Sequence, residues 1–291
     1  MTESTMLVIC VNYNNDDETA SFIRTLLTQK TFNGGKILLV NNGESVNKIL
    51  AELCSEQQRI HFYQADNNLG YLGGAWWGLQ KYIEKHSIPE WTIVSNTDIY
   101  FPDSDVFEKL IQYHSNEPPA VIAPDIILHS SDNKSLIRQN PHLYNRPSKN
   151  RLLFYKFIYK YYLFGLIYGI MSRFKLHIRS NLFMKNNMMN AKENTDTCKE
   201  VYAPMGAFII INRKYFDVGG TLFHGCLLFG EEISVAETAF KLGQKVVYDP
   251  RLRVIHMGHG ATSLIASRQK MRYKSESAQY CYNRLFGESS N

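Results

Sequence analysis

Strand and helix signals alternate through the first 125 residues, and this alternation is the tightest constraint on how the chain can fold. The β-branched run MLVICV at residues 6–11 precedes a helical pattern from about Glu18 to Gln29. Gly34-Gly35 breaks the chain before the strand KILLV at 36–40. Helical VNKILAELCSEQQ and strand IHFYQ come next, then LGGAWWGLQKYIEKH, expected to be helical from Gly74. Strand WTIVSN, a helix from Asp103 to His114 and strand AVIAP close the series. Strands separated by helices predict crossover connections, hence an α/β fold: a doubly wound, mostly parallel sheet with helices on both faces. Ligands of such sheets bind beyond the carboxyl ends of the strands. Asn12-Tyr13-Asn14, Asn41-Asn42 and Asn96-Thr97-Asp98 all fall at those ends. A quiet core strand ends in a Gly or Pro turn. Amides and a phenol instead offer hydrogen bonds and one flat face, as a planar ligand requires.

After Pro124 the pattern changes. Residues 128–150 are polar with two prolines and read as a loop, and 151–178 are apolar, aromatic and basic. The α/β character returns at VYAPMGAFIII (201–211), helix Glu231–Leu242, and strands KVVYD and LRVIH. The stretch from about Ser263 to Phe286 reads as a basic helix. Three segments follow: 1–127, an insertion over 128–198 expected to be helical, and 199–291.

Charge is unevenly placed along the chain. Between Lys134 and Lys192 stand twelve Lys or Arg and no Asp or Glu, while the rest holds 20 basic and 27 acidic residues. Such asymmetry marks contact with an anionic partner. Nine aromatics lie between Phe154 and Phe174, yet the longest uncharged run, Tyr161 to Ser172, has twelve residues. A bilayer-spanning helix needs about 20. Two readings of the segment stand: core helices capping a site, or an interfacial element with Lys156, Lys160, Arg173 and Lys175 at anionic headgroups of a membrane surface. Arg268, Lys270, Arg272 and Lys274 are either a solvated helix face or a contact for a diphosphate. Nucleic acid is not an expected partner, because no recognition motif is present and the body is acidic. Five dispersed cysteines without a C-x-x-C pair, and an N-terminus without a basic n-region, predict a cytoplasmic protein with reduced thiols.

Four motifs carry chemistry. In SNTDIYF (95–101), Asp98 can hold a divalent cation that bridges to phosphates, although Asn-x-Asp after a strand is also a common turn. In NNLGYLGGAWWG (67–78), glycines admit close backbone approach to a ligand, or simply make a tight strand-to-helix turn. The spacing is not the dinucleotide fingerprint. In FGEEISVAE (229–237), Glu231 and Glu232 open a helix, where acids suit the dipole and where one can also serve as general base. In VIHMGHGATS (254–263), His256 ends a strand and His259 follows in a glycine-rich turn; beside an Asp-bound cation His256 becomes a ligand candidate.

Taken in order, VNYNN, LLVNNGES, NNLGYLGGAWWG, VSNTD, PMGAFIIINRKYFDVGG, GEEIS and VIHMGHGATS resemble the family-2 glycosyltransferases of the GT-A fold, most of all rhamnosyltransferase-type enzymes of bacterial surface polysaccharide assembly. The resemblance covers roughly residues 6–125 and 200–285. It implies a donor pocket formed by Asn12, Tyr13 (base stacking), Asn41 (base contact, usually Asp), Asn68, Gly70, Gly73, Gly74, Asn96, Thr97 and Asp98. It implies an acceptor side at Met205, Gly206 and Ala207, metal binding by Asp98 and His256, and Glu232 as catalytic base with Glu231 as its substitute. Ser234 replaces a frequent second Asp. The implied cofactor is Mn2+ or Mg2+, and the implied donor a UDP- or dTDP-type nucleotide-diphosphate sugar. The implied acceptor is a polyprenyl-diphosphate-linked glycan at the inner face of the cytoplasmic membrane. The mechanism would be an inverting single displacement through an oxocarbenium-like transition state. A sugar-nucleotide-binding protein without turnover is the alternative. A sugar nucleotidyltransferase is a weaker one, since VNYNNDD lacks the Gly-rich basic loop such enzymes carry after their first strand.

Overall fold

The computed structural model describes residues 6–115, 118–129, 136–171, 197–258 and 267–287. Arg173, Lys175 and His259, singled out above, lie outside the described residues. The core is one mixed sheet of ten strands in the main order β3-β2-β1-β4-β9-β6-β10-β5, with β7 on β6 and β8 on β10. Here β1 is Met6–Asn12, β2 Lys36–Asn41, β3 Ile60–Gln64, β4 Trp91–Ser95 and β5 Ile99–Tyr100. Likewise β6 is Val121–His129, β7 Leu136–Arg138, β8 Lys199–Val201, β9 Phe208–Asn212 and β10 Val246–His256.

Strands β3, β2, β1 and β4 pair in parallel, as do β6 and β10. Antiparallel β9 is inserted between β4 and β6, which sends its beginning, not its end, to the functional edge. Helices α1 (Asp16–Thr28), α2 (Lys48–Glu56) and α4 (Val106–Ile111) cover one face, which buries Met6, Val8 and Cys10. The helices α3 (Tyr71–Ile83), α7 (Arg213–Asp217) and α8 (Glu231–Lys241) cover the other, which buries Leu7 and Ile9. A strand buried on both faces reads as a continuous apolar run, as MLVICV does.

Several expectations need correction. Helix α3 begins at Tyr71, three residues before the expected start at Gly74, so Gly73 also lies within its first turn. Gly74 is needed for packing: a Cβ there would stand 3.0 Å from the Asn42 amide and 3.2 Å from Val11. The helix expected at Asp103–His114 is α4 alone, followed by a 3-10 turn. The stretch 128–150 is not only loop, since β6 runs to His129 and β7 folds back on it. The two strands KVVYD and LRVIH are a single strand, β10, interrupted by a register shift between Asp249 and Arg253. Pro250 sits in that shift and cannot donate to a ladder, which is where prolines are tolerated inside sheets.

Within the insertion, residues 149–160 and 162–171 are helical. Helix α5 (Lys149–Lys160) starts at Ser148, whose hydroxyl accepts from the Arg151 amide, and α6 spans 162–171. Both rest on α9 (Ser267–Phe286), with Leu152 buried beside Cys281 and Leu285.

Candidate active site

Strand β4 delivers Asn96-Thr97-Asp98 to the carboxyl edge of the sheet. The Asn96 amide donates to the Ala207 carbonyl at 2.8 Å, which joins this loop to the segment leading into β9. The Thr97 hydroxyl donates to Glu18 at 2.9 Å. The Asp98 carbonyl accepts from the Met257 amide at 2.9 Å, just beyond β10. Asp98 Oδ2 and His256 Nε2 then stand 3.2 Å apart, both nearly buried.

The other face of the His256 ring is held as well. Its Nδ1 lies 2.8 Å from Gln139 Oε1 and its Nε2 3.5 Å from Asn96 Nδ2. Gln139 offers an acceptor to a proton on Nδ1, the tautomer that leaves Nε2 to share a cation with Asp98, whose Oδ2 is otherwise its nearest acceptor. Sequence reading missed Gln139, since a glutamine in a polar stretch carries no local signal.

The pair fits a hard divalent cation. Adjacent ligands of an octahedral ion with bonds of about 2.0–2.1 Å are about 3 Å apart. The separation of 3.2 Å between the carboxylate oxygen and the ring nitrogen matches that edge. No group of three or more His, Cys, Asp or Glu that could hold a metal occurs among the described residues. A Mg2+-like ion is commonly held by one or two protein ligands and completed by substrate phosphates and water.

The acidic pair sits across the segment 205–207. The Gly206 amide donates to Glu232 Oε1 at 3.3 Å, and the Gly206 carbonyl accepts from the Tyr71 hydroxyl at 3.2 Å. Glu231 is buried and accepts from the Phe229 amide at 2.9 Å. Burial, and then the charge of Glu232, pushes the Glu231 carboxyl up to about 8. The buried Tyr71 phenol is raised by burial first and then by the charges of Glu231, Asp98 and Glu232. Segment 205–207 joins the two groups: its Ala207 carbonyl accepts from the Asn96 amide, two residues from Asp98, and its Gly206 amide donates to Glu232.

What aims the acidic pair is a turn invisible in the motif. Phe229 and Gly230 adopt φ of +69° and +87°, and α8 starts directly after them. His224 braces the turn, with Nδ1 2.8 Å from the Ser234 hydroxyl and Nε2 3.1 Å from the Phe229 carbonyl. Burial lowers its pKa to about 4, so it serves as a neutral clamp. Ser234, which stands in place of an acid, is its partner.

The donor side is partly rearranged relative to expectation. Asn12 and Asn41 do not face open space: both are buried, and Asn12 Nδ2 donates to Asn41 Oδ1 at 2.8 Å. Asn41 Oδ1 also accepts from the Gly43 amide, and its Nδ2 donates to Gln64 at 2.8 Å. These amides tie the ends of β1, β2 and β3 together. Tyr13 remains at the rim, 44% exposed, with its ring accessible. Asn68 accepts from the Gly70 amide at 2.9 Å and so shapes the loop. Gly70 has φ +75°, and a Cβ there would lie 2.2 Å from the Leu227 carbonyl oxygen, so only glycine lets the loop meet the segment before α8. Gly73 has no such constraint. A cleft of about 460 Å³ opens beside Thr97 and Asp98, walled in part by Glu18 and Phe22 of α1, Tyr100 and Met257.

Residues 7–217 match the sequence profile described as Glycosyl transferase family 2. The chain belongs to this family. The match runs from β1 through α7, and the stretch bearing Glu232 and His256 lies beyond it. No match was found among curated proteins. Two solved structures show the fold of this family-2 chain. The crystal structure of GalNAc-T7 with UDP, GalNAc and Mn2+ has a TM-score of 0.52 at 12% identity, over 88% of this chain and 44% of that one. The mannosyltransferase PcManGT from Pyrobaculum calidifontis, in complex with GDP-Man and Mn2+, has a TM-score of 0.52 at 10% identity, over 98% of this chain and 71% of that one. The chain thus spans under half the length of the GalNAc-T7 chain. The mostly parallel, flanked sheet is that of the GT-A glycosyltransferases.

Proposed function

We propose that the chain is a metal-dependent glycosyltransferase that moves a sugar from a nucleotide-diphosphate sugar to an acceptor hydroxyl with inversion. The observation that carries this reading is the 3.2 Å approach of Asp98 to His256, on the side of the sheet where Glu232 meets Gly206. The two structural neighbours were each solved with a nucleotide and Mn2+, which supports the same ligand class here. A Mn2+ or Mg2+ ion at Asp98 and His256 would neutralise the charge that develops on the diphosphate.

The protein's own groups then divide the work. Tyr13 offers its ring to the base, and the Gly70 loop walls the donor. Glu232, partly exposed beside the acceptor segment Met205-Gly206-Ala207, takes the proton from the acceptor hydroxyl as its oxygen attacks the anomeric carbon. Glu231, buried and held toward its protonated form, is less suited to accept that proton at neutral pH. We assign residues 1–127 to the donor, 199–291 to the acceptor, and the insertion 128–198 to acceptor or membrane contact. The donor is of UDP or dTDP type, the sugar a hexose or rhamnose, and the acceptor a lipid-linked glycan of bacterial surface polysaccharide at the inner face of the cytoplasmic membrane.

A panel of nucleotide sugars with Mn2+, followed by release of nucleoside diphosphate, tests the reading. Glu232→Gln should bind nucleotide within about twofold of wild type yet lose about 10²–10⁴-fold in transfer, the usual contribution of a general base. Full transfer by this variant would remove Glu232 from the role. Nucleotide binding without turnover of any donor would favour the binding-protein alternative.

A further inference from the structure

The described part of the insertion forms two short helices, α5 and α6, whose outer face is apolar. Phe154, Phe157, Phe164, Ile167 and Ile170 are all exposed, between 47% and 61%. Phe157 and Phe164 stack at 6.3 Å, and Tyr161 packs against both. A contiguous apolar surface of this kind on a soluble face marks an interaction site. The inner face is already occupied. Leu152 is buried against α9, Lys156 lies over the Tyr282 ring at 5.2 Å, and a Cβ on Gly165 would stand 2.9 Å from Met271 Sδ. Among the described residues, the outer aromatics stay exposed once the inner face is packed.

Charge decides what fits that face. Residues 149–171 contain Lys149, Arg151, Lys156 and Lys160 and no acid. The supporting helix α9 adds Arg268, Lys270, Arg272 and Lys274 in its first half. Arg268 lies over the Tyr162 ring at 5.7 Å and Lys274 over the Tyr159 ring at 5.4 Å, so this basic stretch borders the hairpin. No helix among the described residues is long and apolar enough to cross a membrane. Aromatic and aliphatic side chains flanked by basic ones and lacking acids match an anionic lipid surface, with rings at the acyl boundary and cations at the headgroups.

We propose that the α5–α6 hairpin docks this protein on an anionic bilayer surface, with Phe157, Phe164 and Ile167 inserted at the interface and Lys149 and Lys160 among the headgroups. The docking face stands independently of the transfer chemistry. Its consequence for the acceptor rests on that chemistry and follows from α9. The same helix that supports the hairpin also packs on the turn before Glu231. A Cβ on Gly230 would lie 2.6 Å from Ser277 Oγ, and the His224 ring meets Tyr280 edge-on at 5.1 Å. One helix thus contacts both the lipid-facing hairpin and the turn before the acidic pair, so docking of the hairpin would hold Glu231 and Glu232 near the bilayer.

Co-sedimentation of the full chain with vesicles tests the proposal, using phosphatidylcholine alone and phosphatidylcholine with about a third phosphatidylglycerol. Wild type should pellet with the anionic vesicles and stay largely in solution with the neutral ones. Phe157→Ser combined with Ile167→Ser should weaken binding by about tenfold or more, since each exposed side chain gives up its burial in lipid. Lys149→Glu combined with Lys160→Glu should weaken it severalfold, as should high salt. Exposed positions tolerate these changes, so both variants should melt as wild type does. No pelleting of wild type, or equal pelleting with neutral vesicles, overturns the proposal. So does a concentration-dependent dimer that Phe157→Ser/Ile167→Ser disperses in the absence of vesicle binding. Absence of nucleoside diphosphate release by wild type from every donor of the panel would sink the transfer reading and leave the docking result standing.

Discussion

Replacing Gln139 with leucine should weaken metal binding without touching a metal ligand. Gln139 Oε1 lies 2.8 Å from His256 Nδ1 and holds the proton there. Leucine cannot accept it. The proton is then free to move to Nε2, 3.2 Å from Asp98 Oδ2, where it makes a hydrogen bond in the place a cation would take. Binding must first expel that proton. Loss of such an outer partner typically costs 10–100-fold in affinity, about 1.4–2.7 kcal/mol. The Gln139 backbone amide still donates to the Ile126 carbonyl, so the local chain path should persist. The assay is Mn2+ affinity in the presence of UDP, by calorimetry or electron paramagnetic resonance, beside the Mn2+ dependence of nucleoside diphosphate release. Gln139→Glu retains an acceptor and should bind Mn2+ at least as well as wild type. Mn2+ affinity within twofold of wild type in Gln139→Leu would refute the tautomer argument.

Two further substitutions probe the start of α3. Gly70→Ala forces a Cβ to within 2.2 Å of the Leu227 oxygen at φ +75°, so strain and overpacking should together cost about 2–6 kcal/mol by urea denaturation. Gly73→Ala is the control: its nearest neighbour would be Leu69 Cβ at 3.9 Å, and a helical site should gain about 0.5–1 kcal/mol, so equal behaviour of the two would contradict the close-approach reading. Glu231 supplies a pH test. Its carboxyl is raised from 4.5 to about 8 by burial first and Glu232 second, so the unfolded chain releases this proton earlier than the folded one. Stability conferred by the protonated form is therefore full below pH ~4.5 and falls as pH rises toward ~8. Glu231→Gln should flatten that slope and be the more stable protein near pH 8, by a few kcal/mol at most, while showing no advantage near pH 4; unchanged slopes of denaturation midpoint against pH would refute the burial argument.

Much of the fold was legible because its causes are local. A strand buried on both faces leaves an apolar run such as MLVICV, and a helix leaves a 3.6-residue pattern such as that of α1, whatever the rest of the chain does. Glycine is where local reading failed. The LGGAWWG pattern sets the helix start at Gly74, three residues after the observed start at Tyr71, and it is the distant carbonyl of Leu227 that demands Gly70. The strand-end amides show another limit of local reading. Asn12 and Asn41 look like ligand groups in the sequence, and parallel pairing of β1 and β2 sets them opposite each other and hydrogen-bonds them. The converse holds for Gln139 and His224, which carry no motif and acquire their roles only from what the fold lays beside them.

The sequence by itself determined that strands would alternate with helices, which strand ends would be polar, and which stretch would be basic and aromatic, because side-chain period and composition act over a few residues. Tertiary structure alone decided that Asn96 and His256, 160 residues apart, would meet, and that β9 would run backwards between β4 and β6 to bring Gly206 to Glu232. Those meetings depend on strand order and register, which arise from the packing of the whole sheet and leave no trace in any short window of residues.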